Sequence, residues 1–320
     1  MKRWYSWFVP RSGRSVAWLA ILIVFAISTL DLVGWMLNIT LLKSIKSEWI
    51  SMRVITALCL ALSAIELAIL QKSPPSFRKS IVSQAPAILV GLVGLLTIAV
   101  YAINMVKGQE ASLEKAPLLN LFLAPADRMA LLTAIIFVFI ACALVLLAAG
   151  GRRAANIAHV LLLPAAIASY LVPVSYLLDV QAMHSWLNIP VALHTGIAFC
   201  ALCLAVFCVR PDTWLMTVFT GDHAGGVMAR RLLPGLLVIP LVIGWLRIYG
   251  ERTEVFRSEV GVALVAITYT VCLLGLVWLS ARSVDRTDEK RRESETRLRL
   301  ATEAAQVGIL EWDAASDRAV

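Results

Sequence analysis

The sequence predicts an all-α, polytopic membrane protein with about eight transmembrane helices. Of its 320 residues 60% are hydrophobic and 16% are charged, and the mean hydropathy is +0.81. Water-soluble domains are about 45–50% apolar and about 25% charged, so this composition is typical of an integral membrane protein. Several separate stretches also reach the roughly 20 apolar residues that cross a hydrocarbon layer of about 30 Å.

Residues 1–15 form a basic and aromatic segment in front of the first span. Trp4, Tyr5, Trp7 and Phe8 suit the headgroup layer, where a ring keeps its apolar body in lipid and its polar edge in water. The first span follows at residues 16–39. It is too long for the apolar core of a signal peptide and no small-residue cleavage site follows it, so we expect it to be retained.

Seven further apolar stretches have the length of a membrane span. They are residues 50–70, 86–106, 129–150, 157–178, 189–209, 232–249 and 260–281. Together with the first span they make residues 16–281 a membrane domain, and an even number of crossings puts both ends on one side. Between the third and fourth spans, residues 118–123 are themselves apolar and are expected to lie flat on the membrane.

Lysine and arginine positions predict the orientation, because short basic loops are retained in the cytoplasm. The segment before the first span and the exit after residue 281 are basic, whereas the loop between the fifth and sixth spans has no lysine or arginine. Both termini are therefore predicted to be cytoplasmic. The formal net charge of +8 is explained by this orientation, and no nucleic-acid partner is expected.

Five ionisable side chains share the outer half of the predicted bundle. Asp31 lies about 12 Å below the outer end of the first span by helical rise. Arg247 is near the outer end of the seventh span and His194 is one turn inside the sixth, with Asp179 and His184 in the loop before it. A charge at mid-bilayer costs several kcal/mol unless it is paired or faces water, so such residues point to function.

One hypothesis is an outward-facing ligand pocket built from Asp31, His194, Trp245 and Arg247. In it Asp31 and Arg247 form an ion pair, and His194 supplies a hydrogen-bond donor, a proton switch or a metal ligand. The alternative is a structural role for the same residues, with an Asp31–Arg247 pair and His194 as an interhelical hydrogen-bonding group.

Other polar residues within spans are interpreted as structural. Glu66 and His159 lie near the cytoplasmic ends of their spans, where a side chain reaches the interface at low cost. All six cysteines fall within spans, where a thiol behaves as a small apolar residue. Cys200 and Cys203 share a helix face and could hold a metal or form a redox pair, but no histidine or further cysteine stands at ligand spacing, which favours packing. No metal, cofactor or disulfide is predicted.

The cytoplasmic end of the membrane domain resembles a known family. The stretch from Arg210 to Phe256, RPDTWLMTVFTGDHAGGVMARRLLPGLLVIPLVIGWLRIYGERTEVF, contains a predicted interfacial helix at residues 213–219. With the last span and the charged helix after it, this stretch resembles the multi-span membrane-sensor regions that precede PAS domains in bacterial sensor histidine kinases, some of which drive diguanylate cyclases instead. The resemblance implies a sensor in the bacterial inner membrane and carries over no ligand residue.

The end of the sequence is similar to the beginning of a PAS domain, an α+β fold. It reads ESETRLRLATEAAQVGILEWDAASDRAV, with a capping helix at residues 293–305, a first strand at 307–313, a turn at 314–317 and the start of a second strand. The alternating GILEWD and the turn residues after it support the same interpretation. We therefore assign residues 300–320 to an incomplete PAS domain.

Residues 282–299 are predicted to be a signalling linker helix. From Val284 to Ala305 the 3,4 spacing of a parallel coiled coil is present, which favours a homodimer. Most seam residues are small or polar, and a weak coiled coil is easily shifted between two packings. The alternative is a single solvated helix with i,i+4 pairs such as Glu293 with Arg297.

These observations predict the input region of a signal-transduction protein. A periplasmic or intramembrane signal would pass through the last span and the linker helix to output domains beyond Val320, which would act on a response regulator. No phosphoacceptor helix, nucleotide-binding glycine motif or cyclase signature occurs in the sequence, so no catalytic residue is predicted and enzyme activity is expected of those output domains. The alternative is a transporter or channel, which also explains buried charges but predicts repeat symmetry that the sequence does not display.

Overall fold

The computed structural model describes the chain as almost entirely helical, which confirms the all-α prediction for the membrane region. The described residues are 13–44, 49–72, 80–107, 128–178, 191–210, 212–221, 224–253, 260–275, 278, 296–297, 299–301, 312–313 and 318–319. The chain divides into two units, Met1–Thr220 and Gly221–Val320.

The first unit contains eight helices within its described residues. They are α1 Gly13–Met36, α2 Thr40–Lys43, α3 Val54–Lys72, α4 Ile81–Lys107, α5 Leu131–Ala149, α6 Arg152–Leu177, α7 Leu193–Val209 and α8 Trp214–Thr220. Gly150 and Gly151, with φ of 78° and 88°, join α5 to α6. Glycine adopts such angles at no steric cost, so two residues suffice to reverse the chain between neighbouring spans.

The second unit contains α9 at Ala224–Arg252 and α10 at Val260–Gly275. It also contains two short strands, β1 at Trp312–Asp313 and β2 at Arg318–Ala319, which pair antiparallel. The strands fall where the sequence predicts the end of one strand and the start of another, and the turn between them lies outside the described residues. Residues 296–297 and 299–301 are helical. Most of the predicted linker helix, residues 282–299, also lies outside the described residues.

Six of the described helices are long and apolar enough to cross a membrane, namely α1, α3, α4, α5, α6 and the part of α9 from Met228 to Arg252. The count rises to seven if α7 and α8, whose axes meet at 93°, form one broken span. Helix α10 is shorter, and apart from Trp278 the remainder of the predicted eighth span lies outside the described residues. The chain is thus a multi-span membrane protein, and a total of eight spans remains a prediction.

The helices of the first unit form a closed arrangement. Helix α1 packs against α3 and α7, while α3 also contacts α4, α5 and α7. Helix α5 contacts α4 and α6, and α6 contacts α7, so the sixth predicted span returns to the first. Small residues and leucines dominate the core, together with Phe137 of α5 and Phe199 of α7. This closure brings the C-terminal end of α1 next to the start of α7.

Helices α4 and α5 approach closely because Gly94 has no side chain. A Cβ at this position would lie 2.9 Å from the carbonyl oxygen of Ala134 and 2.9 Å from Val138 Cγ2. Membrane helices use small residues in this way, because close packing between backbones replaces the missing hydrophobic driving force.

Replacing Gly94 by alanine is expected to lower the free energy of unfolding by about 1–3 kcal/mol, because the two backbones must move apart. The measurement is thermal unfolding in detergent with a thiol-reactive fluorescent dye, since buried Cys59 and Cys203 react only after the bundle opens. Gly225→Ala is the matched control, because a Cβ there meets nothing within 4 Å. Equal melting temperatures for the two variants would show that α4 and α5 are not in close contact.

Candidate functional site

The first feature of the candidate site is a buried acid–histidine pair between α1 and α7. The Asp31 side chain is 1% exposed and the His194 side chain is 12% exposed, and 3.4 Å separates Asp31 Oδ1 from His194 Nε2. Asp31 lies in the last turns of α1, and His194 is the second residue of α7. The contact between these two helices therefore positions the pair.

The hydrogen-bonding capacity of the pair is not used within the described structure. Asp31 Oδ1, Asp31 Oδ2 and His194 Nε2 are all buried, and the described residues offer none of them a hydrogen-bond partner. A separation of 3.4 Å allows electrostatic attraction but exceeds the usual N–H···O range. The pair thus presents two acceptor oxygens and a ring nitrogen to which a proton or a small polar ligand can bind.

A basic and aromatic group borders the C-terminal end of α1. The Lys43 ammonium acts electrostatically on the Asp31 carboxyl, contacts Asn38 Oδ1 at 2.7 Å and lies 4.4 Å from the centre of the Trp35 ring. Trp35 Nε1 donates a hydrogen bond of 2.9 Å to the carbonyl oxygen of Met52. Helix α2 is folded back to place this lysine, since Asn38 between α1 and α2 has a φ of 55°, an angle that asparagine tolerates better than most residues.

Contacts between α6 and the start of α7 hold the His194 side of the pair. Tyr176 Oη donates a hydrogen bond of 2.9 Å to the carbonyl oxygen of Val191, and the Tyr176 ring lies 5.1 Å from the Trp49 ring. One turn further along α7, a Cβ on Gly196 would lie 2.6 Å from Val172 Cγ1. Helix α7 is therefore tightly seated on α6 where it presents His194.

The other two predicted site residues have partners within α9, in the second unit. Arg247 Nη2 lies 3.2 Å from Glu251 Oε1, with side chains 36% and 30% exposed. The Trp245 ring stacks on the Tyr249 ring at 5.4 Å. The structure thus brings together Asp31 and His194 of the four predicted residues, and an Asp31–Arg247 pair stays a prediction. Asp179 and His184 lie outside the described residues.

The sequence-based interpretation that Glu66 and His159 reach the membrane interface is wrong. Both side chains are fully buried. For Glu66 the reason is the position of α3, which four other helices enclose. For His159 the reason is a specific contact, because Thr213 Oγ1 lies 2.8 Å from His159 Nδ1 and Thr213 is itself buried.

The contact between His159 and Thr213 fixes the bend between α7 and α8. The amide of Trp214 donates a 3.1 Å hydrogen bond to Asn156 Oδ1, and the amide of Met216 contacts Thr213 Oγ1 at 3.4 Å. A threonine before the first helical residue is a usual N-cap, which is the signal in the sequence that could have located this bend. Helix α8 matches the predicted interfacial helix, and its 93° angle to α7 suits a position along the membrane surface.

The six cysteines are free thiols, of which Cys59, Cys203 and Cys208 are buried. The closest polar contact of Cys203 Sγ is Ser169 Oγ at 4.0 Å. Among the residues that the structure describes, no three histidine, cysteine, aspartate or glutamate side chains cluster as metal ligands would.

Comparison of the chain with protein-family models, with curated proteins and with solved structures finds no match in any of the three. The structure establishes a multi-span helical membrane protein in which Asp31 and His194 form a buried pair.

Proposed function

We propose that this chain is the membrane input region of a bacterial signal-transduction protein, with Asp31 and His194 at its signal site. The observation that carries the proposal is the buried pair between α1 and α7, whose polar atoms have no hydrogen-bond partner among the described residues. Ionisable groups within membrane bundles are costly and commonly mark the site of function. A proton or a small polar or cationic species is the ligand that this chemistry suits.

The pair is well placed to change the packing of α7. A ligand that binds more tightly to one arrangement of α1 and α7 than to another shifts the population toward the first. Helix α7 continues directly into the bend held by His159 and Thr213, and the chain then enters α9. A shift of α7 would thus be transmitted along the chain toward its C-terminal half.

The identity of the output is proposed from the sequence resemblance. Residues 210–256 and 293–320 are similar to the membrane-sensor regions and PAS beginnings of sensor histidine kinases, and less often of diguanylate cyclases. On this proposal the protein lies in the bacterial inner membrane with both termini in the cytoplasm, and it dimerises through the helix from Val284 to Ala305. Its output domains would transfer the signal to a response regulator.

A transporter is the second candidate function, and the burial of Glu66 favours it. A second carboxyl group inside the first unit, on a different helix from Asp31, is what a proton-coupled pathway would require. The two candidates differ in what a change in protonation produces. A sensor changes the linker helix, whereas a transporter moves ions.

An experiment on the full chain in liposomes separates the two functions. Single cysteines at Leu298 or Ala301, in a background without native cysteines, carry nitroxide spin labels, and the distance between the two labels of a dimer reports linker pairing. The proton serves as the probe ligand, varied between about pH 5 and about pH 8, where histidine side chains change charge. Entrapped pH-sensitive dye reports ion movement in the same vesicles.

For a sensor we expect the distance between the two labels to change with pH in the wild-type protein and to be constant in Asp31→Asn and His194→Ala, with no proton flux. The Arg247→Ala variant is the matched control and should behave like the wild type if the signal site lies at the buried pair. Proton flux that the Asp31→Asn change abolishes would favour the transporter. A label-to-label distance that is independent of pH in the wild type and in every variant would contradict the proton-sensing form of the proposal.

A further inference from the structure

Glu66 is a buried acid that the Asp31–His194 site does not use. It lies in α3, six residues before the last residue of that helix, which is about 9 Å by helical rise. The side chain is fully buried, and both of its carboxyl oxygens are without a hydrogen-bond partner among the described residues.

The helices around Glu66 supply no counter-charge to it. Helix α5 contains no acidic, basic or histidine residue, and the only such residue of α4 is Lys107 at its last position. Helix α1 contains Arg14 and Asp31, and α7 contains His194. None of these groups is within ion-pair distance of Glu66 in the described structure.

The charged groups of α1, α3 and α7 are engaged elsewhere. Arg14 Nη2 donates a 3.0 Å hydrogen bond to the carbonyl oxygen of Gln71, and the Lys72 ammonium lies 5.0 Å from the centre of the Trp18 ring. Asp31 and His194 face each other. Among the described residues the Glu66 carboxyl therefore has no cation within ion-pair distance. A carboxylate without a partner in an apolar interior is strongly disfavoured.

The neighbouring helix α4 has a weak point near its first residue. Helix α4 packs against α3, and Pro86 lies inside it, five residues after Ile81. Proline lacks the N–H that would hold the preceding turn, so α4 is less rigid at Pro86 than an uninterrupted helix.

We propose that Glu66 is a second, separate ligand site of the bundle and that its ligand is a proton. In the packing seen here the side chain is the uncharged carboxylic acid. It releases its proton when α3 and α4 separate at Pro86 and water reaches the carboxyl. This inference does not depend on whether the protein is a sensor or a transporter.

A proton suits this site better than a metal cation. Hard cations take about six oxygen ligands. The nearest hydroxyl on the same helix face, that of Ser63, already donates a 2.8 Å hydrogen bond to the carbonyl oxygen of Cys59. Leu67 and Leu70, in the turn of α3 that follows Glu66, are apolar and fully buried.

The test is the reaction of the full chain, purified in detergent, with dicyclohexylcarbodiimide, a hydrophobic reagent for uncharged carboxylic acids. The acid proton moves to one carbodiimide nitrogen and the carboxyl oxygen bonds to the central carbon, whose C=N bond to that nitrogen becomes a single bond. Away from water this adduct rearranges to a stable N-acylurea, which mass spectrometry locates on the peptide that contains Glu66.

Glu251 is the internal control, because its side chain is 30% exposed and pairs with Arg247. We expect the hydrophobic reagent to modify Glu66 at least roughly tenfold faster than Glu251, and a water-soluble carbodiimide to reverse that preference, because burial favours the uncharged acid. The Glu66→Gln variant, which resembles the uncharged acid in shape, should lose the modification and keep the wild-type melting temperature.

Three results would overturn the proposal. The first is modification of Glu66 no faster than that of Glu251 by the hydrophobic reagent. The second is equally fast modification of Glu66 by the water-soluble reagent, which would mean that the carboxyl faces water. The third is protection of Glu66 by sodium chloride but not by choline chloride, which would make the site one for an alkali cation. The labelling decides the question even if Glu66→Gln does not fold.

Discussion

The His194→Ala variant is expected to lose about 3 kcal/mol of unfolding free energy, because removing one partner of a buried pair leaves the other uncompensated. Asp31 is 1% exposed and the described structure offers it no hydrogen bond, so the truncation leaves a buried carboxyl without the imidazole that lies 3.4 Å from it. The measurement is the thermal unfolding curve in detergent, monitored through the reactivity of the buried cysteines.

The Arg247→Ala variant is the control for this prediction. Arg247 and Glu251 form an i,i+4 pair whose side chains are 36% and 30% exposed, and such pairs contribute about 0.3–0.5 kcal/mol. His194→Ala thus removes one partner of a buried pair, and Arg247→Ala removes one partner of a partly exposed pair. A similar loss of stability for both would mean that Asp31 and His194 are not coupled in the folded bundle.

A double substitution shows whether the effect belongs to the pair. Asp31→Asn removes the charge and leaves a group that can donate hydrogen bonds. Combined with His194→Ala, it is expected to cost less than the sum of the two single changes, since no unpaired carboxyl remains. Strict additivity would contradict an interaction between the two side chains.

The Phe137→Ala variant is expected to lose about 2–3 kcal/mol. Phe137 of α5 is fully buried, and its ring centre lies 4.8 Å from that of Phe199 in α7 at an interplanar angle of 69°. In a water-soluble protein this change costs about 3–5 kcal/mol. Lipid is as apolar as the core, so the transfer contribution is reduced and the lost packing contacts account for most of the effect.

Phe25→Ala provides the comparison, since Phe25 of α1 is 43% exposed. Its truncation is expected to change the unfolding free energy by about 0.5 kcal/mol or less, as for most exposed positions. Thermal melting of both variants in the same detergent checks the contrast. Equal effects would show that the edge-to-face contact between α5 and α7 does not stabilise the bundle.

Much of the fold follows from patterns that a sequence alone contains. Apolar stretches such as residues 16–39 and 129–150 correspond to α1 and α5, because a helix that crosses lipid must satisfy its backbone internally and carry apolar side chains along its whole length. The same reasoning marks Asp31 and His194, since an ionisable residue stands out within such a stretch. Both requirements act within single segments, so no knowledge of neighbouring helices is needed.

The partners of these residues come from the packing of different helices. Apolar spans give almost no signal for which face meets which helix, because lipid and protein interior are alike in polarity. From the sequence, Glu66 and His159 therefore look like residues that reach the membrane interface. In the structure other helices enclose α3, which carries Glu66, and Thr213 is in hydrogen-bonding contact with His159. The sequence alone identified the apolar stretches and the polar residues within them. The contact of α1 with α7, and the burial of Glu66 beside α4, came from the arrangement of the helices, because contacts between distant segments depend on shape and not on the order of residues.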